Sequence, residues 1–305
     1  MGDHGLPLTN IAARLAVARL TDASFTTTFR FYTVRVTLLG TGDTTGTPTV
    51  ACDCDTCARA HELGVERTRF SVHVENERTG ESLLIDFSPD FRAQFLANNV
   101  ALPDAAVVTH IHFDHLDGLG NVFRLLRDLE VHAASEVDPV TGESVAGTVR
   151  RRYDYLDQVR VGGQQPGDTF TAAGFDVTLY PVTHPPLVCY GATVETEDAT
   201  LALTADTNYD VPVATRDALS GADLLLADAI APASTCEGHP AGGRHHDDDG
   251  VPRTFGGKHM TREGALALAE ELDARETLLV HCSHYYPPEE AFNPPLAIDG
   301  MVREI

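Results

Sequence analysis

The stretch that decides the fold is Thr109-His110-Ile111-His112-Phe113-Asp114-His115, which directly follows the apolar run Ala105-Ala106-Val107-Val108. The apolar run predicts a buried β-strand, and residues two apart on extended backbone project to the same side. His110 and His112 can therefore bind one cation, while Asp114 and His115, after the chain turns, can face a second. Imidazole and carboxylate ligands suit Zn, Mn or Fe, and paired ions lie about 3.5–4 Å apart. The stretch predicts a two-metal centre.

Three more candidate ligands follow predicted strands elsewhere in the chain. His184 follows the strand pattern at 175–183, Asp206 follows the one at 201–205, and His281 follows the one at 277–280. Strand ends at one edge of a sheet converge in space, so these side chains can meet the histidine-rich stretch. Because a carboxylate has two oxygens, Asp206 can bridge two ions.

The remaining pattern predicts an α/β protein with two sheets and helices outside them. The predicted strands are Val34–Leu39, Phe70–Val74, Ser82–Asp86, Ala105–Thr109, Phe175–Thr183, Leu201–Ala205, Leu224–Ala227 and Thr277–Val280. We predict helices over Asn121–Leu129 and Thr261–Leu272, the latter capped by Thr261. Residues 1–32, with weak helical spacing at Ile11, Leu15 and Leu20, are predicted to be an N-terminal extension of unknown role. The stretch Gly238–Gly257 reads as a loop.

Composition limits the class of protein. The 305 residues are 43% hydrophobic, enough for a full core, and no apolar run approaches the roughly 18 residues that a membrane span needs. No secretory signal opens the chain, so we expect a cytoplasmic protein. The net charge is −23, and only Lys258 among the 22 basic residues is a lysine. This composition is typical of proteins from extreme halophiles, and its negative charge argues against a dedicated nucleic-acid binder.

The run HxHxDH, followed by a histidine, an aspartate and a last histidine on successive strands, resembles the metallo-β-lactamase superfamily over about residues 34–284. The resemblance implies an αββα sandwich, which we assign to residues 33–305. It implies that the first metal is held by His110, His112 and His184, and the second by Asp114, His115 and His281. Asp206 would bridge them, a hydroxide between the metals would be the nucleophile, and Asp86 would brace the metal-binding loop. Asp114 and His259 are the expected catalytic residues.

A second cluster of candidate metal ligands indicates which branch of the superfamily the chain resembles. Cys52, Cys54 and Cys57 lie close together after the loop Leu39–Pro48, and His284 trails His281 by three positions. Three thiolates and one imidazole complete a tetrahedral structural zinc site. This pairing resembles the PhnP phosphodiesterases, which carry such an extra zinc and hydrolyse the cyclic phosphate of 5-phosphoribosyl 1,2-cyclic phosphate.

The segment Gly257-Lys258-His259-Met260-Thr261 stands before a predicted helix N-terminus, where a phosphate is favourably placed. In PhnP and in the tRNase Z endonucleases a similar His-x-Thr segment supplies a histidine to the scissile phosphate. A protonated His259 could stabilise developing negative charge or protonate the leaving oxygen.

The leading hypothesis is a binuclear phosphodiesterase, with two divalent metals (Zn or Mn) and one structural Zn, that acts on a small cyclic or nucleotide-like phosphodiester. The alternatives are a tRNase Z-like endonuclease, a thioesterase, and a PqqB-like accessory protein without hydrolysis. We see no basic or Gly/Pro-rich arm to grip tRNA, and the sequence leaves open whether the chain forms a homodimer.

Two further expectations concern charged residues. Asp228 could brace the site or merely cap a strand end, and Arg150–Arg152 could bind a terminal phosphate or form a salt-bridged face.

Overall fold

A computed structural model describes residues 33–242 and 250–305. The predicted N-terminal extension at 1–32, with its helical spacing, lies outside the described residues. The strands are β1 Val34–Gly40, β2 Ser71–Asn76, β3 Ser82–Ile85, β4 Ala105–Val108, β5 Leu129–Ala134, β6 Val159–Gln164, β7 Thr169–Ala172, β8 Phe175–His184, β9 Leu187–Glu195, β10 Thr200–Leu203, β11 Leu224–Asp228, β12 Thr254–Phe255, β13 His259–Met260, β14 Thr277–Val280 and β15 Val302–Glu304. The helices are α1 Asp55–Leu63, α2 Phe91–Asn98, α3 Phe113–Leu116, α4 Val145–Arg152, α5 Val213–Leu219 and α6 Arg262–Glu271.

Two mixed sheets form the centre of the fold. The first has the order β15-β1-β2-β3-β4-β5-β6, antiparallel from β15 to β3 and parallel from β3 to β6. The second has the order β14-β11-β10-β9-β8-β7, and β12 pairs with β13 in a separate small hairpin. In the second sheet β10, β11 and β14 run parallel, so their carboxyl ends share one edge.

Two clusters of buried apolar side chains hold the sheets and helices together as layers. Buried side chains of both sheets, such as Val107 and Leu226, belong to one apolar cluster, so the sheets pack face to face. A second cluster joins the outer face of the second sheet to α6 through Leu225, Leu279 and Leu268. On the other side, α2 and α4 pack against strands of the first sheet. This is the predicted αββα sandwich of the metallo-β-lactamase fold. None of the described helices is long and apolar enough to cross a bilayer.

The eight predicted strands are confirmed, with ends that differ by no more than two residues. Helix α6 is also confirmed, and the Oγ1 of Thr261 caps it by accepting a hydrogen bond from the amide of Gly264 at 3.0 Å. The predicted helix Asn121–Leu129 is wrong. A 3₁₀ turn ends at Val122, Arg124 adopts a φ of 64° that a helix cannot hold, and Leu129 already begins β5. The predicted loop Gly238–Gly257 contains the short strand β12, while its residues 243–249 lie outside the described part.

His73 makes the fold sensitive to acid. Its ring is buried in β2, edge-on to Phe95, and burial lowers its pKa from 6.5 to about 4. The folded chain therefore binds this proton less readily than the unfolded chain, so stability falls as the pH drops below about 6.5 towards 4. From pH 7 to pH 5 the loss is on the order of 2 kcal/mol. We expect His73→Phe to show a smaller drop in Tm between these two pH values than the wild type, as measured by calorimetry. An equal drop in both proteins would contradict this role.

Candidate metal centre

The predicted metal ligands meet at one edge of the sandwich. His110 and His112 follow β4, and Asp114 and His115 lie on α3. His184 ends β8, while Asp206 and His281 follow β10 and β14. A residue other than glycine adopts a positive φ after β10 (Ala205, 49°), after β14 (His281, 58°) and after the neighbouring strand β3 (Asp86, 60°). Such strained backbone turns the chain sharply at the edge where the side chains converge.

One group consists of His110, His112, His184 and Asp206, whose ligand atoms all lie within 4.8 Å of one another. The Nδ1 of His112 is 3.0 Å from His110 Nε2 and 3.2 Å from His184 Nε2. Burial lowers the pKa of all three imidazoles, so they are neutral and present lone pairs. Tetrahedral ligands about 2.0 Å from a zinc ion would be separated by roughly 3.3 Å. The donor set and spacing fit a transition-metal ion.

The second group consists of Asp114, His115 and His281. The Oδ2 of Asp114 lies 3.6 Å from His115 Nε2 and 3.5 Å from His281 Nε2. Both Nε2 atoms are buried, and neither has a hydrogen-bond partner among the described residues. Buried polar atoms normally have a partner, so two orphaned nitrogens facing one carboxylate also fit a bound cation.

Asp206 belongs to the first group and also faces two side chains of the second, His115 and His281. Its Oδ2 is 3.4 Å from the Nε2 atoms of both His115 and His281, and 3.7 Å from His110 Nε2. Burial alone would raise the pKa of the Asp206 carboxyl, but His115 and His281 hold it well below its usual range. Burial would likewise lower the pKa of His115, yet the carboxylates of Asp206 and Asp114 raise it well above 6.5. The same local negative charge that attracts a proton would favour divalent cations.

The end of β3 fixes the metal-binding loop. Asp86 accepts hydrogen bonds from the amide and hydroxyl of Thr109 at 2.8 and 2.7 Å. Its Oδ2 lies 2.7 Å from His115 Nδ1, which turns Nε2 of that ring towards the cluster. Gly118 approaches the carbonyl of Ser88 so closely that a Cβ would lie 1.9 Å from the oxygen, so any larger residue would displace the loop. The bracing contact predicted for Asp86 is present.

His259 lies beside both groups, on β13. Its Nδ1 is 3.0 Å from Asp228 Oδ2, and its ring stacks on His281 with a centroid distance of 5.0 Å. Asp228 ends β11, accepts a hydrogen bond from the Thr207 amide at 3.0 Å, and is 3.6 Å from His281 Nδ1. The carbonyl of Lys258 lies 3.0 Å from His184 Nδ1. Asp228 therefore braces the site rather than merely capping its strand.

One contact to the centre was missed in the sequence. The hydroxyl of Thr44, in the loop after β1, donates to Asp114 Oδ2 at 2.6 Å. Thr44 lies in the Gly- and Thr-rich loop Leu39–Pro48, ahead of the cysteines in the sequence. That stretch was the available signal, but nothing in it specified the partner of the hydroxyl.

The cysteine cluster is also assembled. The Nδ1 of His284 lies 3.3, 3.4 and 3.6 Å from the sulfurs of Cys52, Cys54 and Cys57. Around a tetrahedral zinc with bonds of about 2.3 Å to sulfur and 2.0 Å to nitrogen, these distances would be roughly 3.5 Å. Burial raises the pKa of Cys57 to about 11, so a cation is needed to hold that group as a thiolate. The four side chains fit a closed zinc site.

Two of the three arginines considered for a terminal phosphate have protein partners, and several buried histidine and cysteine side chains lie outside the candidate metal sites. Arg151 forms a salt bridge with Glu143, and Arg150 donates a hydrogen bond to the carbonyl of Val161. Both guanidinium groups therefore have partners within the protein. Buried His132 pairs with Gln164, at 2.9 Å. Cys189, Cys236 and Cys282 are buried and lie outside the cysteine cluster.

The sequence is similar to known proteins over much of its length. The family described as the Beta-lactamase superfamily domain matches residues 81–282. An octanoyltransferase of Porphyromonas gingivalis is 27% identical over 257 residues, which are 83% of this chain and 47% of that protein. The chain thus spans about half the length of that relative. The probable metallo-hydrolase YhfI of Bacillus subtilis is 27% identical over 186 residues, 60% of this chain and 67% of that protein.

Solved structures show the same fold. A diphosphatase from the PhnP family has a TM-score of 0.70 at 27% identity, covering 89% of this chain and 97% of its own. Zn²⁺-bound PqqB from Methylobacterium extorquens has a TM-score of 0.71 at 21% identity, covering 89% and 100%. The short form of human tRNase Z has a TM-score of 0.60 at 18% identity, covering 89% and 99%. With more than half of its length matched by the family, and with relatives named as a diphosphatase and a metallo-hydrolase, the chain belongs to the beta-lactamase superfamily.

Proposed function

We propose that the chain is a binuclear metal-dependent phosphodiesterase acting on a small cyclic or nucleotide-like phosphodiester. The observation that carries the proposal is His259, held by Asp228 next to both groups of metal-binding side chains. Neither of the two groups described above includes His259, so its ring is available to a phosphate bound beside them. The 27% identity with a PhnP-family diphosphatase over 89% of the chain supports hydrolysis of a phosphate-containing substrate.

In this proposal His110, His112 and His184 would hold one divalent cation, and Asp114, His115 and His281 would hold the other. Asp206 would contribute to both positions, and Cys52, Cys54, Cys57 and His284 would hold a structural zinc. The two cations, Zn or Mn, would lower the pKa of a shared water and neutralise charge on the attacked phosphate.

His259 would act on the substrate directly. Because its Nδ1 faces Asp228 Oδ2 at 3.0 Å, its Nε2 is the nitrogen that can donate to a phosphate oxygen or to the leaving group. In the reaction a water oxygen bonds to phosphorus, the ester P–O bond breaks, and the departing oxygen takes the proton from His259. One proton of the attacking water then restores the imidazolium, and the other goes to solvent. Asp228 is a positioning residue that fixes the tautomer of His259.

A small substrate fits the surface charge. A chain of net charge −23 repels long phosphate backbones at ordinary salt, whereas a substrate with one or two phosphates needs only local neutralisation by the metals and His259. 5-Phosphoribosyl 1,2-cyclic phosphate is the first candidate substrate, and small nucleotide phosphodiesters are the next candidates because they are chemically similar to it.

The test is hydrolysis of bis(p-nitrophenyl) phosphate by wild type and His259→Ala, with metal content measured by mass spectrometry. We expect about three metals per chain in both proteins and a kcat about 10²–10³-fold lower in the variant. His61→Ala, on the exposed surface of α1, is the control and should match the wild type. Three metals with no diesterase activity, even at high salt, would refute the proposal and favour an accessory role. Loss of a metal in His259→Ala would make His259 a ligand instead.

A further inference from the structure

A groove of about 720 Å³ opens beside the metal centre. Its wall includes His112, which also belongs to the first group of metal-binding side chains, so groove and centre are continuous. Phe113 of α3 and Leu187 of β9 line it as well, together with Asp117, Arg152 and Tyr155. A substrate whose phosphate reaches the metals can therefore extend its remaining part into this groove.

The groove presents aromatic rings to solvent. Phe113 is 46% exposed and Tyr155 is 59% exposed, and Tyr153 lies beside Tyr155 with a ring distance of 6.2 Å. Large rings at the mouth of a groove leave apolar faces available to a flat ligand. Nucleobases stack on such rings with little dependence on base identity. A ribose phosphate without a base would leave these faces uncovered.

A carboxylate lies in the same wall. Asp117 is 3.6 Å from the guanidinium of Arg152 and 3.4 Å from the hydroxyl of Tyr153, and about half of its side chain is exposed. Arg152 is anchored in turn near the carbonyl of Ile111 at 3.4 Å. The pair fixes a carboxylate that can accept hydrogen bonds from sugar hydroxyls, as acidic residues do in nucleotide sites.

We propose that this groove binds the nucleoside part of a nucleotide phosphodiester, with the base against Tyr155 and Phe113 and the sugar hydroxyls on Asp117. The inference rests on the proposed phosphodiesterase function and narrows it, because a base-free cyclic ribose phosphate makes no use of the aromatic wall. Arg152, which the sequence offered as a phosphate ligand, is assigned to positioning Asp117.

Two substrates with the same leaving group test the groove. Thymidine 5′-(p-nitrophenyl) phosphate carries a nucleoside, and methyl p-nitrophenyl phosphate carries none. We expect kcat/KM of the wild type to favour the nucleoside substrate by about tenfold or more, mainly through KM. Tyr155→Ala should lower kcat/KM for the nucleoside substrate far more than for the methyl ester, so that most of the preference is lost, and Tyr155→Phe should keep the preference. Phe123→Ala, at an exposed ring outside the groove, is the matched control.

The possible outcomes separate the two proposals. Hydrolysis of both esters with equal kcat/KM would overturn the nucleoside site and leave the phosphodiesterase function intact. If neither ester is hydrolysed, the phosphodiesterase function fails. Calorimetric titration of the metal-loaded chain then tests whether the groove binds a nucleoside. Tighter binding of thymidine 5′-monophosphate than of ribose 5-phosphate, lost in Tyr155→Ala, would support the nucleoside site. Equal binding of the two would overturn it.

Discussion

Replacing Asp206 by alanine is expected to lower phosphodiesterase kcat/KM by at least about 10³-fold, beyond the 10–100-fold typical of residues that only orient metal ligands. One oxygen of this carboxylate lies 3.4–3.9 Å from imidazole nitrogens of His110, His115, His184 and His281. Without it, both proposed metal positions lose a ligand and a negative charge. We therefore expect the variant to keep the zinc at the cysteine cluster and to lose both other metals.

Metal content by mass spectrometry, measured alongside kinetics, checks this expectation. Asp206→Asn keeps the shape of the side chain but removes its charge, so it should retain more metal than Asp206→Ala and remain strongly impaired. Asp210→Ala, at an exposed position four residues further along the same loop, should resemble the wild type in both measurements. A variant Asp206→Ala with all its metals and a rate within tenfold of the wild type would rule out the bridging role.

Much of the candidate metal centre could be predicted because several of its side chains stand at, or a few residues after, the end of a recognisable strand. His110, His184, Asp206 and His281 are adjacent to apolar runs with clear boundaries, and parallel or adjoining strands bring their ends together. The brace at Asp86 was expected from the family resemblance, and in the structure Asp86 directly follows β3, which pairs with β4. For the candidate ligands at strand ends, a local pattern and the rules of sheet topology were sufficient to predict that they meet.

The features that the sequence did not predict depend on contacts between segments far apart in the chain. Thr44 and Asp114 are 70 residues apart, and no periodicity links a loop hydroxyl to a particular carboxylate. Asp117 and Arg152 similarly meet only because α4 ends beside the turn that follows α3. The wrong helix at Asn121–Leu129 has the same origin. Leu129 is an apolar residue at helical spacing, but its amide bonds to the carbonyl of Gln158 as β5 pairs with β6.

Breaking the cysteine cluster should have the largest effect on stability. In Cys54→Ser we expect metal content to fall by about one atom per chain, because a structural zinc site has four ligands and no spare position. Zinc binding contributes on the order of 10 kcal/mol in isolated zinc-finger peptides, and losing even a few kcal/mol would lower Tm by about 10 °C or more. Calorimetry and mass spectrometry check both values. Cys236→Ser, at a buried thiol outside the cluster, should keep its metals.

The same variant should also disturb catalysis, because the cluster joins two segments that contact the metal centre. His284 follows the candidate ligand His281 by three residues, and Cys52 follows the loop in which Thr44 donates to Asp114 Oδ2 at 2.6 Å. Freeing that loop would withdraw the hydroxyl, so we expect kcat to fall by about 10–100-fold. Thr44→Val isolates this step: it should lower kcat by a similar factor while keeping the zinc and the Tm. If Cys54→Ser instead retains every metal, the wild-type Tm and the wild-type rate, then the three cysteines do not hold a zinc, and the loop is fixed by its own hydrogen bonds.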